Sequence, residues 1–515
     1  MVTAHLSYEI DGIMIYKENF TNEESMALLL SDYCTPEGIN FSALMGSFRL
    51  KISDAFKDET IFFGDNSGVM CFYYTQDRVS DSLLSLKAEK IPDFDAIAQV
   101  LSYECTYDYR TIIKDVFRTN PNMFYVLKKG GIEEKSKNLP GFEETPQNTL
   151  EMVIEKYVKA TSDKRKISII TGGSDSRSIL AHLLNKKTDL ELSITGTPDH
   201  IDVKIAREIS EAVDLPLHVF GESPGSDEKE YLCESFIAGD GVYGVLGRYR
   251  LYNKSKNLKS LGFEVEFGGV AGELYKNSFL NQDFPFYFGK PDYKWFRNVK
   301  LPASQIPRGI LTEKMQKSVS DSENIVSETL FAPKPDRSKN KFQIYNDIGY
   351  SILQHKMIIL TNSSAGYLIP LLPLMERSLV ASIYKSNPYA MEFSRYQRKQ
   401  VSTFYPEIKK IKTDKGIDCS DSFTSIIDDF VKHYLALIPI YIKIHLKKFH
   451  LKKGTPVRVI DGRIDEVFSN GLNSKEYEEA MIVCKKMGIL SEGVDIKAIP
   501  PVIADRLMTI GMVFQ

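Results

Sequence analysis

Residues 167–180 read Ile-Ser-Ile-Ile-Thr-Gly-Gly-Ser-Asp-Ser-Arg-Ser-Ile-Leu, an apolar run that ends in two glycines followed by hydroxyl and carboxylate side chains. The β-branched residues predict a buried strand, and Arg177 to Asn185 predicts a helix. Gly172 and Gly173 let backbone N–H groups approach a ligand closely. The start of the helix adds a partial positive charge that favours a pyrophosphate. The stretch therefore predicts an anion-binding loop between a strand and a helix.

The same alternation of strand and helix continues on both sides of this loop. Residues 148–161 and 203–213 have helical periodicity, whereas 190–195 and 217–220 have the composition of strands. Alternation at this spacing predicts an α/β fold with a parallel, doubly wound sheet.

The rest of the chain divides by composition. Residues 1–150 predict a meander of β-strands, with 7–10 and 12–16 as two short strands around a turn, and a linker follows near 139–146. Beyond about residue 300 the pattern is mostly helical, with long helices over 344–361 and 421–445. We expect domains at 1–145 and 150–420 and a helical C-terminal extension over 421–515, packed on the second domain.

Asp175 points to a metal ion within the predicted loop. A carboxylate beside phosphate is unfavourable unless a cation such as Mg²⁺ lies between them. The loop lacks the Gly-Lys-Ser/Thr of a Walker A motif, and it lacks the G-x-G-x-x-G of a dinucleotide fold. The alternative interpretation is an ordinary turn in which a serine caps the helix.

The loop resembles the S-G-G-x-D-S signature of the N-type ATP pyrophosphatases, with Thr171 in place of the first serine. Within that superfamily the chain is most similar to the asparagine synthetase group, which includes β-lactam synthetases and lasso-peptide cyclases. Three further segments carry the resemblance over roughly residues 165–420. They are Phe267 to Leu274, which is similar to S-G-x-G-x-D-E-L, Pro373 to Val380, and Lys412 to Gly416.

The resemblance implies an AMP-forming ligase, in which ATP activates a carboxylate as an acyl-adenylate and an amine then forms an amide. It implies ATP and Mg²⁺ as the cofactors. Asp175 and Glu273 would hold the metal, Lys415 or Lys412 would stabilise the transition state, and Glu273 would also belong to the catalytic set. The implied nucleotide-binding residues are Thr171, Gly172, Gly173, Ser174, Asp175, Ser176, Ile194, Thr195, Gly268 and Gly269. The implied fold is a doubly wound ATP-pyrophosphatase domain, preceded by an α+β sandwich like that of N-terminal nucleophile hydrolases.

The chain departs from the family at three positions. Val2 stands where the glutaminase of the family has its cysteine nucleophile, so the amine cannot come from glutamine by this route. Gly272 stands where the family has its second metal carboxylate, and Gly269 stands where it has a general base. Asp240 and Glu376 are candidates for the missing metal or base function, with a helix cap or a surface carboxylate as the commoner role.

Other features of the sequence limit the kinds of partner and the cellular location that we expect. The net charge of −3 does not favour nucleic acid. The six scattered cysteines, the lack of a signal peptide and the apolar run 434–446, too short for a membrane span, together predict a cytoplasmic protein. The basic and apolar stretch 440–453 fits either a helix on an anionic membrane surface or a helix packed on the protein with solvated lysines. His200 lies at the predicted carboxyl edge of the sheet, where a surface role is the commoner one.

Two functions remain open from the sequence. The first is an ATP-dependent ligase that acts on a small-molecule or peptide carboxylate, from a natural-product, peptide or surface-glycan pathway. The second is a degenerate family member that binds a nucleotide or a partner without turnover, which Gly269 and Gly272 favour. The oligomeric state and the identity of the acid and the amine do not follow from the residues.

Overall fold

The computed structural model describes residues 5–221, 228–242, 244–280, 289–331, 339–432 and 466–515. Thirteen strands in these ranges form three sheets. Val2 and the stretch 440–453 lie outside the described residues. Within the described part of the chain, no helix is both long enough and apolar enough to cross a membrane.

An antiparallel five-stranded sheet forms the centre of the N-terminal region. Its strands, in spatial order, are β1 (Leu6–Tyr16), β2 (Leu44–Asp54), β3 (Glu59–Gly64), β7 (Met123–Lys128) and β8 (Gly131–Ser136). A small antiparallel sheet of β5 (Val79–Ser80), β4 (Tyr73–Tyr74) and β6 (Phe117–Arg118) packs on it through Phe62, Phe72, Tyr74 and Tyr125. The helices of this region are α1 (Asn22–Tyr33) and α2 (Phe94–Tyr103).

The expected turn near residue 11 is wrong, because β1 is one continuous strand. Gly12 has a φ of 97°, and a side chain there would lie 2.1 Å from the Ser47 carbonyl oxygen of β2. Glycine at this position therefore lets the two strands approach each other without ending the ladder.

A parallel five-stranded sheet forms the centre of the second half of the chain, as the alternation of strands and helices predicts. Its spatial order is β11 (Leu217–Phe220), β10 (Glu191–Thr195), β9 (Lys166–Ile169), β12 (Val265–Phe267) and β13 (Ile369–Leu371). After β9 the chain adds β10 and β11 on one side, and it then returns to place β12 on the other side. In such sheets ligands bind at the carboxyl ends of the strands where the strand order reverses. Here that place is the end of β9.

Helices flank this sheet and continue to the end of the chain. They are α3 (Leu150–Ala160), α4 (Ser174–Asn185), α5 (Ile201–Val213), α6 (Glu228–Ala238), α7 (Tyr249–Ser260), α8 (Tyr293–Lys300), α9 (Glu313–Phe331), α10 (Lys341–Ala365), α11 (Arg377–Tyr384), α12 (Arg395–Phe404), α13 (423–432), α14 (Glu466–Gly471), α15 (Lys475–Lys486) and α16 (Pro501–Val513).

The two halves of the chain share their hydrophobic cores. One buried cluster joins Ile13, Met45 and Val69 of the N-terminal region to the apolar residues around β9 and α4. A second joins α2 to α15 and α16. The C-terminal helices therefore pack on the N-terminal region as well as on the α/β region, where Asp505 accepts hydrogen bonds from the backbone N–H groups of Leu246 and Gly247.

Candidate functional site

The glycine-rich loop lies between β9 and α4, at the carboxyl end of the central strand. Gly173 precedes α4 in the extended conformation and, as a glycine, provides no side-chain cap for the first turn of the helix. Ser174, Asp175 and Ser176 are the first three residues of that turn, whose N–H groups have no partner inside a helix. The start of α4 thus keeps its hydrogen-bond donors and its partial positive charge available to an anion.

Gly269 follows β12 and faces the start of α4. A side chain at this position would place its Cβ atom 2.8 Å from the Ser176 backbone nitrogen and 3.1 Å from the Ser176 Cα atom. Glycine therefore lets the chain after β12 pass close to the backbone at the start of α4. Gly268, in contrast, donates its N–H to the Leu371 carbonyl of β13, 3.0 Å away, so this group serves the sheet.

The loop itself is held by its own hydroxyl groups and by α5. Thr171 N–H donates to Ser176 Oγ at 3.1 Å, and Gly173 N–H approaches Thr171 Oγ1 at 3.3 Å. The Gly172 N–H donates to Asp202 Oδ1 at 3.0 Å. These bonds fix the loop conformation. They also occupy three of its N–H groups, which are therefore not free to bind a ligand. Ligand contacts are therefore left to the first turn of α4.

Arg177 connects the loop to the segment that carries the predicted catalytic lysines. Its side chain is fully buried and donates to the carbonyl oxygens of Ile411, Lys412 and Gly172. Asp414 N–H also donates to the Gly172 carbonyl, at 3.2 Å. Residues 411–416 are thereby placed beside the loop, although they lie more than 230 positions away in the sequence.

Asp175, in the first turn of α4, forms an ion pair. Its Oδ2 atom lies 2.7 Å from Lys276 Nζ, and its Oδ1 atom accepts from Gln397 Nε2 at 2.9 Å. Burial acts to lower the pKa of Lys276, but the charge and hydrogen bond of Asp175 outweigh it, so the pKa is raised and the lysine is protonated. Lys276 ends the short helical turn Gly272–Lys276.

Lys276 and Lys415 line one pocket next to the loop, which we call the two-lysine pocket. Its enclosed space is about 80 Å³, less than the roughly 300–1,000 Å³ of typical small-molecule sites. Lys415 is 58% exposed, and its Nζ atom lies 3.8 Å from Asp429 Oδ1 of α13. The other lining residues are Ser278, Glu392, Phe393, Ser394 and Asp429, so two carboxylates face the two lysines.

The backbone of Phe393 and Ser394 is left-handed, with φ values of 55° and 57°. Such a conformation costs a non-glycine residue roughly 1–2 kcal/mol, and it is found where surrounding structure enforces it. These two residues bend the chain sharply into α12, which carries Gln397 to Asp175.

The structure thus brings the loop 171–176, Gly269 and Lys415 together around one end of β9. Ile194 and Thr195 lie at the carboxyl end of the neighbouring strand β10. Glu273 and Lys412 are exposed, and the Lys412 carbonyl accepts a hydrogen bond from Arg177. Sequence reasoning missed Lys276, Asp202, Arg177 and Gln397. Lys276 lies three positions after Glu273, so the motif around Glu273 could have identified it. No local sequence pattern identifies Gln397.

The two alternative carboxylates serve the packing of the N-terminal region. Asp240 accepts hydrogen bonds from Ser82 Oγ and from the backbone N–H groups of Leu83 and Leu84. Glu376 is buried, and it accepts from the Gly46 N–H at 2.8 Å and from the Tyr157 hydroxyl. Burial raises the pKa of Glu376 to about 7. His200 caps α5 by accepting from the Asp202 N–H.

The residues present do not fit the Mg²⁺ ion that the resemblance implies. Both oxygens of Asp175 are already engaged by nitrogen donors, and the predicted second ligand, Glu273, is exposed and acts on Lys276 through its charge alone. Among the residues that the structure describes, no three His, Cys, Asp or Glu side chains converge as a metal site. A phosphate group, in contrast, fits the uncapped start of α4.

No known protein-family model matches this chain, and no curated protein matches it either. Its function therefore has to be inferred from the site itself.

Proposed function

We propose that the chain is an ATP-dependent ligase that adenylylates a substrate carboxylate and releases pyrophosphate, after which an amine forms an amide. The parallel-sheet region is then an ATP-pyrophosphatase domain. The N-terminal sheets are a sandwich of the nucleophile-hydrolase type without glutaminase activity. The substrate is a small-molecule or peptide carboxylate, and the amine comes from a source other than glutamine.

The observation that carries this proposal is the uncapped start of α4 at the point where the strand order reverses. Gly269 lets the chain after β12 approach this helix start closely, and the end of β9 is where ligands bind in doubly wound sheets. Loop glycines that merely formed a turn would need neither an uncapped helix nor a glycine on the strand opposite. The combination favours a bound phosphate chain.

In this proposal each part of the site has one task. The first turn of α4 binds the phosphates, and backbone groups of Ile194 and Thr195 bind the adenine. A carboxylate oxygen of the substrate bonds to the α-phosphorus, and the bond to the bridging oxygen breaks, so that pyrophosphate leaves with the electron pair. Lys415, at the two-lysine pocket, stabilises the negative charge of that transition state. The amine nitrogen then bonds to the acyl carbon, and AMP leaves.

A second candidate function is nucleotide binding without turnover. Gly269 provides no general base, and the ion pair with Lys276 neutralises Asp175. Either feature would suit a protein in which the nucleotide acts as a structural or regulatory ligand. This candidate predicts ATP binding that no carboxylate converts into pyrophosphate release.

Pyrophosphate release from ATP, measured with a panel of amino-acid, peptide and sugar-acid carboxylates, separates the two functions. We expect release that depends on one class of carboxylate. Replacing Lys415 with Ala should lower the rate by roughly 100-fold or more, as for other groups that stabilise transition-state charge, with little change in ATP affinity. Lys410→Ala is the matched control, since Lys410 is 74% exposed on the same segment.

An unchanged rate in the Lys415→Ala variant would remove this lysine from the catalytic role, and Lys412→Ala then tests the alternative. ATP binding without release across the whole panel would favour the second function. If calorimetry detects no ATP binding, both functions are refuted.

A further inference from the structure

Asp175 is held by two nitrogen donors, one at each carboxylate oxygen. Lys276 Nζ lies 2.7 Å from one carboxylate oxygen, and Gln397 Nε2 lies 2.9 Å from the other. Gln397 is fully buried, and the same nitrogen also donates to the Gly272 carbonyl at 3.2 Å. Its amide is therefore oriented with the nitrogen toward Asp175, and a cation on that side would meet a donor.

Gly272 is the residue that makes this arrangement possible. A Cβ atom at position 272 would lie 2.0 Å from Asp175 Cγ and within 2.4 Å of both carboxylate oxygens. The carboxylate of Asp175 thus fills the space that any side chain at 272 would need. A second carboxylate, which a shared metal ion would require, cannot be placed there while Asp175 keeps this orientation.

Lys276 supplies the positive charge at this place. An ammonium group has three N–H donors, and Asp175 takes one of them. Lys276 also lines the two-lysine pocket, together with Lys415 and the carboxylates of Glu392 and Asp429. Its remaining donors are therefore available to an anion that enters from the pocket.

We infer that Lys276 takes the place of a protein-bound divalent cation at Asp175, so that the site binds a polyphosphate through a fixed ammonium. This inference rests on the proposed function, because the polyphosphate is the triphosphate of ATP or the pyrophosphate product. Lys276 neutralises Asp175, which would otherwise repel the phosphates from the first turn of α4, and it donates to them.

Calorimetry with the full chain tests this inference, with ATP and inorganic pyrophosphate as probes in either Mg²⁺ or EDTA. We expect the wild type to bind both probes in EDTA. Lys276→Met should weaken binding in EDTA by roughly 10- to 100-fold, because one charge-assisted hydrogen bond is lost and Asp175 is left unpaired. Mg²⁺ should restore much of the loss in this variant. Lys276→Arg should bind in EDTA as the wild type does.

Two further variants complete the test. Lys399→Met removes an exposed lysine of α12 and controls for the change in net charge. Asp175→Asn combined with Lys276→Met removes both charges, and it should recover part of the binding in EDTA. Circular dichroism of each variant verifies that it is folded.

The outcomes distinguish the inference from the proposed function. If the wild type binds ATP only with Mg²⁺, and Lys276→Met keeps that requirement unchanged, the inference is wrong and the proposed function stands. If neither probe binds under either condition, both are wrong.

Discussion

At the scale of single residues, the site depends on side chains that are missing as much as on those present. Gly269 lets the chain after β12 approach the first turn of α4 closely, and Gly272 leaves room for the carboxylate of Asp175. Their effect is steric, so it can be tested with a single methyl group.

Gly269→Ala should lower ATP affinity by about tenfold or more. Its Cβ atom would lie 2.8 Å from the Ser176 backbone nitrogen, so the backbone at the start of α4 must shift, which displaces the hydrogen-bond donors of the first turn from a charged phosphate. Gly493→Ala is the control, because a Cβ atom there has no neighbour within 4 Å. Calorimetric titration with ATP measures the effect. Equal affinity in the two variants would show that phosphate does not bind at this face of α4.

The positions of the loop residues follow from the sequence, but their partners do not. The order of strand, glycines and helix depends on local conformational preferences, which residues 167–180 carry by themselves. The ion pair of Asp175 with Lys276 and the bond to Gln397 join positions about 100 and 222 apart. Such contacts depend on how the whole sheet closes, and local patterns contain no information about that.

At the scale of elements, α4 does more than present its first turn. It begins at Ser174, three residues before the predicted start, so the hydroxyl and carboxylate residues belong to the helix. Through Arg177 the helix also holds residues 411–416, which carry the predicted catalytic lysines. One helix therefore positions both sides of the site.

Replacing Arg177 with Met should release the 411–416 segment. The carbonyl oxygens of Ile411, Lys412 and Gly172 would each lose a buried donor, and each loss costs about 1–3 kcal/mol. Because this segment is rich in lysine, trypsin should cleave it faster in the variant. Arg207→Met, on the exposed side of α5, is the control. Cleavage at the wild-type rate would contradict the role of Arg177.

The C-terminal helix α16 should be essential for folding. Leu507, Met508 and Ile510 are at most 1% exposed, and burial of such a side chain contributes roughly 1.5–3 kcal/mol. The sum over the helix approaches the whole stability of about 5–15 kcal/mol that is typical of proteins. We expect a chain that ends at residue 500 to be insoluble or unfolded by circular dichroism. A soluble, cooperatively unfolding truncation would contradict this.

At the scale of the whole molecule, buried charges lie where the two halves meet. The raised pKa of Glu376, about 7 against an ordinary 4.5, results mainly from burial. Between these two pH values the folded chain retains a proton that the unfolded chain releases. The free energy of unfolding therefore falls as the pH rises through this window, and the contribution is constant above about pH 7.

Glu376→Gln should remove this pH dependence. Glutamine keeps an oxygen to accept from the Gly46 N–H and the Tyr157 hydroxyl, without a charge to bury. Between pH 5 and pH 8 the variant should gain up to roughly 3 kcal/mol of stability relative to the wild type. Urea unfolding of both proteins at the two pH values measures the difference. Parallel pH dependence in the two proteins would contradict the assignment.

The division of the chain into a β-rich first part and an α/β second part is visible in the sequence, because strand and helix periodicities differ. The way in which the two parts pack against each other cannot be read from the sequence. The apolar residues Ile13, Met45 and Val69 have the pattern of ordinary strand or loop residues, and nothing in it specifies that they pack beside β9. The periodicity identifies which face is buried, but it does not identify the partner.

The shared core also limits how the molecule can open. Swinging the N-terminal sheets away from the parallel sheet would expose the apolar cluster between them to water, at a large cost in free energy. We therefore do not expect a ligand to reach the site through a hinge motion between the two halves. Instead, we expect a ligand to enter and leave through movement of surface segments near the two-lysine pocket, such as 413–416. Ligand exchange would then appear as local relaxation in NMR spectra, with an unchanged small-angle scattering profile.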